Sequence, residues 1–513
     1  MNRFTSFVAS AALLATLPAG AQMSMPGDQS SGMPSVPGPL TAKYKTDADK
    51  ILAAAMADND GYAALTYLCD HIGKRVSGSP QLLTAIEWGA ELMKNAGLQN
   101  VKVEPVMVPR WVRGNESATV MTTGKGAITK PLHMLGLGMS VGTPKEGITA
   151  EVLFVPTFAA LDALTPEQVK GKIVLFNPGW HGYGVNSQYR TAGPSRAAAK
   201  GAVAVLVRSA TGLAMQTPHT GTLRYDEKQP KVPAAALSVE DALLVERLTK
   251  EGPVKIHLQM DGHMEADQKA GNVMGEIVGS EHPEQVVVLG GHIDSWDVGQ
   301  GAQDDGSGII ATFEAVSLIH KLGLKPKRTI RIVFWVNEEN GGAGGRAYRE
   351  MIGDKIGDQV AAIEMDGGAE KPLGIGYGSF GAPRRPAAPA PGAAATGMAP
   401  RAGLDASTLT ADEKQSYVWM QDIAALLKPI GTDTVSPGGG GSDIGPITAD
   451  GVPALSPRTI GLHYFDWHHT EADTLDKVDP DDFKRNTAML SVVAYVLADM
   501  DGRLAGRKST FRE

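Results

Sequence analysis

The spacing of apolar positions divides this chain into three textures. Over residues 47–98 they recur at helical intervals, with turn signals around residues 73–80, which predicts an α-helical entry into a larger unit. Residues 126–263 differ: short β-like runs at 152–155, 172–176 and 204–207 alternate with Gly/Pro loops and one helical stretch at 196–201. That pattern reads as a discrete inserted β-rich module. Beyond Asn272 strand and helix alternate, with strands expected at 286–290, 329–336 and 359–365 and helices at 307–322, 345–352, 417–427 and 483–500. Alternation of this kind predicts an α/β fold, a largely parallel or mixed central sheet covered by helices on both faces.

Composition narrows the functional classes. The chain has 513 residues, enough for two or three domains, and its 48 Lys+Arg against 56 Asp+Glu give a formal charge of -8. No long basic run is present, so nucleic acid is not an expected partner. Residues 1–21 combine Arg3, an apolar core over residues 7–17 and the small-residue site Ala19-Gly20-Ala21, which reads as a signal peptide for secretion or periplasmic export. The apolar core falls short of the ~20 residues a membrane span needs. Residues 22–42 are rich in Pro, Ser and Gly and read as a flexible leader; residues 381–403 are Pro/Ala-rich and read as a loosely packed loop. Cys69 is the sole cysteine, which excludes an intramolecular disulfide, and its setting in LTYLCDHIG reads as core.

Polar residues collect where such a fold places chemistry, beyond the carboxyl ends of strands. His292 and Asp294 follow the first strong strand, Glu338 and Glu339 end the second, Asp366 ends the third, and Asp304 and Asp305 open the helix after the first. Each alone has a plainer reading: a helix cap for Asp305, solvated acids for the glutamate pair, a solvated aromatic loop for FDWHHTEADTLD with His468 and His469. Together they describe one imidazole and several carboxylates at one end of one sheet, with a second imidazole expected from elsewhere. Imidazole with carboxylate and no thiolate suits zinc better than magnesium. In an extended segment neighbouring side chains point to opposite sides, so of Glu338 and Glu339 one is free to bind metal while the other faces the attacking water. His292 and Asp294 share a side, which places Asp294 to accept the other N–H of the imidazole.

The order HxD, DD twelve residues after that His, EE, D and HTxxDT resembles the dizinc exopeptidases of the aminopeptidase and glutamate-carboxypeptidase group, over residues ~45–505. The stretch with VKGKIVLF and AAAKGAVAVLV is similar to their protease-associated domain. The resemblance implies a three-layer α/β/α zinc-peptidase domain with a mixed sheet at residues 43–125 and 264–513, interrupted by a protease-associated domain at 126–263. It also implies that Asp304 bridges two zinc ions, that His292 and Asp366 hold one and Glu339 and His469 the other, and that Glu338 is the general base with Asp294 supporting. His469 rather than His468 fits HTxxDT, Asp443 in GGGGSDIGP matches a pocket loop, and the Asp304–Asp305 peptide is expected to be cis. Short unblocked peptides, dipeptides included, are the implied substrates, and a homodimer the implied assembly. Arg346, Arg384, Arg385 and Arg458 are candidates for a substrate carboxylate. The competing class is a non-catalytic binding protein, since the transferrin-receptor lineage keeps this architecture without the peptidase chemistry.

Overall fold

The computed structural model describes residues 32–378 and 408–508. Its larger sheet has nine strands, in the order Met33–Pro34, Thr434–Pro437, Pro372–Tyr377, Ala454–Thr459, Gln359–Glu364, His282–His292, Arg328–Trp335, His263–Ile277 and Gln99–Val112. The four strands from Ala454–Thr459 to Arg328–Trp335 run parallel. Antiparallel neighbours flank them, Pro372–Tyr377 on one side and His263–Ile277 on the other, so the sheet is mixed.

Alternation along the parallel strands feeds two cores. Val287, Leu289, Ile330, Ile332 and Phe334 enter one, with the helices Ser307–Lys321 and Pro480–Asp499. Val286, Val288, Val333 and Trp335 enter the other, with Tyr348 and Ile352 of the helix Ala343–Ile352. Strands covered on both faces carry near-continuous apolar runs, interrupted here by Arg331, which is paired with Glu276 at 2.6 Å. Each such side chain contributes about 1.5–3 kcal/mol of burial before the entropy of ordering is subtracted. Pro480–Asp499 starts where Asp479 accepts the backbone N–H groups of Asp481 and Asp482, with proline at its first position.

The second sheet has eight strands drawn from between Glu116 and Met260. Its faces are covered by two helices, Val239–Glu251 through Ala242 and Val245, and Tyr183–Ala198 through Ala197 and Ala198. This differs from the expected pattern in two ways. The sheet begins at Glu116 rather than near residue 126, and the helix foreseen at 196–201 starts at Tyr183. Its buried face includes Asn186, Arg190 and Pro194 among small residues, which erases the apolar period.

The flexible leader expected at residues 22–42 is overturned over residues 32–42; residues 22–31 lie outside the described residues. Met33 and Pro34 pair with Val435 and Thr434, and a helix, Pro39–Ala57, begins at Pro39. The cap is supplied from far along the chain: the Asp422 carboxylate accepts the N–H groups of Gly38, Leu40 and Thr41 at 2.7–2.8 Å. No local pattern encodes such a partner. Residues 1–21 and 381–403, read above as signal and loop, lie outside the described residues. Among the described residues, no helix is long and apolar enough to cross a membrane.

Candidate active site

The parallel strands end level with one another, His292 opposite Trp335, and deliver their following residues to one place. His292 closes its own strand; Glu338 and Glu339 follow Arg328–Trp335; Asp366 follows Gln359–Glu364. Asp304 sits in the turn that enters the helix Ser307–Lys321, and the Asp304–Asp305 peptide is cis. His468 and His469 arrive after the short helix Tyr464–Trp467, with His469 in the left-handed region at φ 63°.

Asp304 is the centre of the cluster. Its Oδ1 lies 3.3 Å from His292 Nε2, and its Oδ2 lies 3.2 Å from His469 Nε2 and 3.4 Å from His468 Nε2. His292 Nε2 is also 3.4 Å from Asp366 Oδ1, and His469 Nε2 is 3.0 Å from Glu339 Oε2. The structure thus brings His292, Asp304, Glu339, Asp366 and His469 into one group, and adds His468 to it. Burial pushes Glu339 up to about 8, with the Asp304 charge adding to it, and pushes Asp366 up to about 6. Burial works the same way on Asp304, but the hydrogen bond to His292 and the charges of His468 and His469 outweigh it and hold this carboxyl well below the usual range. The Asp366 and Asp304 carboxylates hold His292 well above the ordinary imidazole value against the effect of burial. His468 goes the other way, driven well below it by burial and by His469, on which it stacks with ring centroids 3.6 Å apart.

Both central imidazoles are turned the same way. His292 Nδ1 lies 3.0 Å from the Asp294 carbonyl and His469 Nδ1 lies 3.3 Å from the Thr220 carbonyl. A carbonyl only accepts, so His292 Nδ1 donates to Asp294 and its Nε2 is the nitrogen turned toward Asp304; His469 Nε2 is turned toward Asp304 in the same way, with its Nδ1 beside the Thr220 carbonyl. This revises the role read for Asp294: its carboxylate is 4.0 Å from His292 Nδ1, and its main-chain oxygen does the accepting. The Asp294 carboxylate instead accepts the Ser77 hydroxyl and the backbone N–H of Glu338, each at 3.1 Å. Glu338 itself is half-buried, whereas the adjacent Glu339 is buried against His469.

Other residues support the cluster, some of them without a sequence motif. Asp473, the acid of HTxxDT, accepts the N–H groups of Gln303 at 2.7 Å and Asp304 at 3.1 Å and so fixes the turn. Its place in that motif was the available signal. Asp305 accepts the N–H of His292 at 3.1 Å. A Cβ at Gly291 or at Gly308 would lie 2.0 Å from the Asp305 carboxylate, so that acid fits only because both positions lack side chains. Arg75, fully buried, donates to the carbonyls of Gly73, Ile293, Gln300 and Gly301 and holds the loop after His292. Its stretch RVSGS gave only a turn signal. Asp443 is buried, and the neighbouring Glu364 accepts the Ile444 N–H at 2.8 Å. Of the arginine candidates, Arg346 is exposed and donates to Gly341, Arg458 donates to Gly438, and Arg384 and Arg385 lie outside the described residues.

The donor set fits a zinc site. Asp304 Oδ2 and Glu339 Oε1 are buried without a hydrogen-bond partner, and imidazole nitrogens lie against the same two carboxylates, a set of donors that suits zinc. Two groups among the described residues have ligand atoms close enough to share an ion: His292, Asp304 and Asp366, and Asp304, His468 and His469.

Comparison with known proteins agrees with this geometry. The model of peptidase family M28 matches residues 272–494. Carboxypeptidase Q of Xenopus laevis is 39% identical over 467 residues, 90% of this chain and 92% of that protein, and carboxypeptidase Q of Homo sapiens is 38% identical over 449 residues, 87% of each. The crystal structure of a peptidase M28 precursor from Shewanella amazonensis superposes with a TM-score of 0.79 at 30% identity, covering 90% of this chain and 98% of that one.

Proposed function

The chain belongs to peptidase family M28 and is a zinc-dependent peptidase, and on that premise we propose that it is a dizinc exopeptidase acting on short peptides with a free terminus, dipeptides among them. One observation carries the reading: the two oxygens of Asp304 face different imidazoles, His292 at 3.3 Å and His469 at 3.2 Å. A carboxylate addressed from both sides suits a ligand shared by two ions. In this assignment His292 and Asp366 would hold one zinc, Glu339 and His469 would hold the other, and Asp304 would serve both.

When bound, zinc supplies Lewis acidity, bringing the pKa of water toward neutrality and polarising the scissile carbonyl. The remaining work falls to the chain's own groups. Glu338 is the general base: it accepts the proton of the attacking water and returns it to the departing amine. Its half-buried position leaves its carboxylate reachable, and its main chain is tethered by Asp294, a positioning residue. Glu339, next in sequence, faces His469 and is spent on the metal.

The same reading takes residues 126–263 as a protease-associated domain set into a peptidase domain formed by 43–125 and 264–513. It takes residues 1–21 as a cleaved signal for secretion or periplasmic delivery, and a homodimer as the assembly. The experiment is a hydrolysis screen over free, N-blocked and C-amidated dipeptides, with and without a chelator. Chelator-sensitive cleavage of free dipeptides is expected, and the blocked substrates identify the terminus read. A protein that binds no zinc and stays inactive after zinc is supplied would overturn the reading in favour of a non-catalytic binder.

A further inference from the structure

Outside the cluster itself, Thr220 joins the second sheet's segment to a metal-ligand candidate. Thr220, which follows His219 in a loop of that sheet's segment, is fully buried, and all its polar groups are engaged. Its N–H donates to the His469 carbonyl at 3.0 Å, and its own carbonyl faces His469 Nδ1 at 3.3 Å. The two bonds fix both the main chain and the ring of His469. The carbonyl of Thr220 also accepts Arg190 Nη1 at 3.0 Å, while its hydroxyl donates to the Gly136 carbonyl at 2.8 Å and accepts Arg113 Nη2 at 3.3 Å. Arg113 in turn grips Asp297, on the loop beyond His292, through two bonds of 2.8 and 2.6 Å. Arg190 is itself held by the Tyr183 hydroxyl, at 3.0 Å from Nη2.

We infer that Thr220, held by Arg190 and Arg113, is the positioning residue through which the second sheet sets the tautomer and aim of His469. The alternatives at Nδ1 make the point. Arg190 Nη1 lies 3.5 Å from His469 Nδ1. Were it to donate there, Nδ1 would have to give up its proton to Nε2, and the nitrogen facing Asp304 and Glu339 would lose its lone pair. Because Thr220 holds the guanidinium by its carbonyl and offers that oxygen to Nδ1–H as well, the ring keeps the proton on the side away from the metal. An imidazole ligand oriented by a partner on its other nitrogen is the usual requirement for tight metal binding. Here that partner comes from a different sheet, so metal affinity depends on how the two sheets dock.

The test is the zinc affinity of the full chain, by competition with a chromophoric chelator, read beside the visible spectrum of the cobalt(II) form. Arg190→Met keeps the bulk and removes the donors. It is expected to weaken the zinc assigned to His469 by about 10- to 100-fold and to alter the cobalt bands, with Arg190→Lys restoring part of both. Affinity and spectrum equal to wild type in Arg190→Met overturn the inference. Should that variant fail to fold, Arg190→Lys decides: it keeps a cation but cannot hold the Thr220 carbonyl and the Tyr183 hydroxyl together, and wild-type zinc affinity and cobalt spectrum in it overturn the inference. The inference rests on the proposed assignment of His469 as a ligand, and the two fail differently. If His469→Ala binds zinc as tightly as wild type, the assignment has failed rather than the positioning.

Discussion

The carboxylate of Asp294 receives the backbone N–H of Glu338 at 3.1 Å, so the loop that carries the base is tied to the loop that follows the first imidazole. Asp294→Ala is expected to lower kcat by about 10- to 100-fold while zinc content stays at the wild-type level, because a tether to the base is lost and no ligand is. Asp294→Asn keeps an acceptor oxygen and should lose less. Steady-state kinetics beside metal analysis separates these outcomes; an unchanged kcat in the alanine variant would show that the base needs no tether.

Glu338→Gln retains shape and removes the proton acceptor. Turnover is expected to fall by about 10²- to 10⁴-fold, the usual worth of a general base, with bound zinc unchanged. A variant that hydrolyses dipeptides at the wild-type rate would transfer the role to another group.

His468 and His469 both approach Asp304, at 3.4 and 3.2 Å, but only His469 also meets Glu339. His469→Ala is therefore expected to lose one of the two proposed zinc ions, and His468→Ala to keep both. Metal analysis after dialysis tests this, and the reverse pattern would exchange their assignments.

Cys69 is buried, and burial pushes its thiol up to about 12. Alkylating reagents act on the thiolate, so the native protein should resist iodoacetamide near neutral pH. Labelling rate across a urea titration should then follow global unfolding, and rapid labelling without denaturant would contradict the burial.

Glu314 is a buried carboxyl beside Lys321 at 3.0 Å, and burial pushes it up from 4.5 to about 7. With the folded value above the unfolded one, the folded state binds the proton more tightly. The resulting stability is present in full below about pH 4.5 and is lost as pH rises through about 7, by about 3 kcal/mol in total. Glu314→Gln should remove this slope, so the difference in unfolding free energy between variant and wild type should shift in the variant's favour across that window. Equal pH profiles would mean that Glu314 keeps an ordinary carboxyl value in the fold.

What could be read from the chain follows from how far the signal travels. The strands around residues 286–290 and 329–336 are mostly apolar because both faces of the sheet are covered, and a local window captures that. Their terminal acids and imidazole sit where strand direction puts them, so His292, Glu338, Glu339 and Asp366 were legible as a set. The two-residue spacing of His292 and Asp294 gave the right neighbour but the wrong atom, because the carbonyl at 3.0 Å outcompetes the carboxylate at 4.0 Å. Thr220, Arg190, Arg75 and the Asp422 cap were invisible. Each acts on residues far off in the chain, through main-chain groups that every residue has, and such partners leave no trace in composition or period.

The space taken by the Asp305 carboxylate has a consequence for mutational scanning. Gly291 and Gly308 carry no side chain to react or to ligate, yet the smallest added side chain at either would meet that acid at 2.0 Å. A saturation library selected for activity should therefore score these two positions as severely as His292 itself. Tolerance to substitution alone would not tell a residue that reacts from one whose contribution is to leave room.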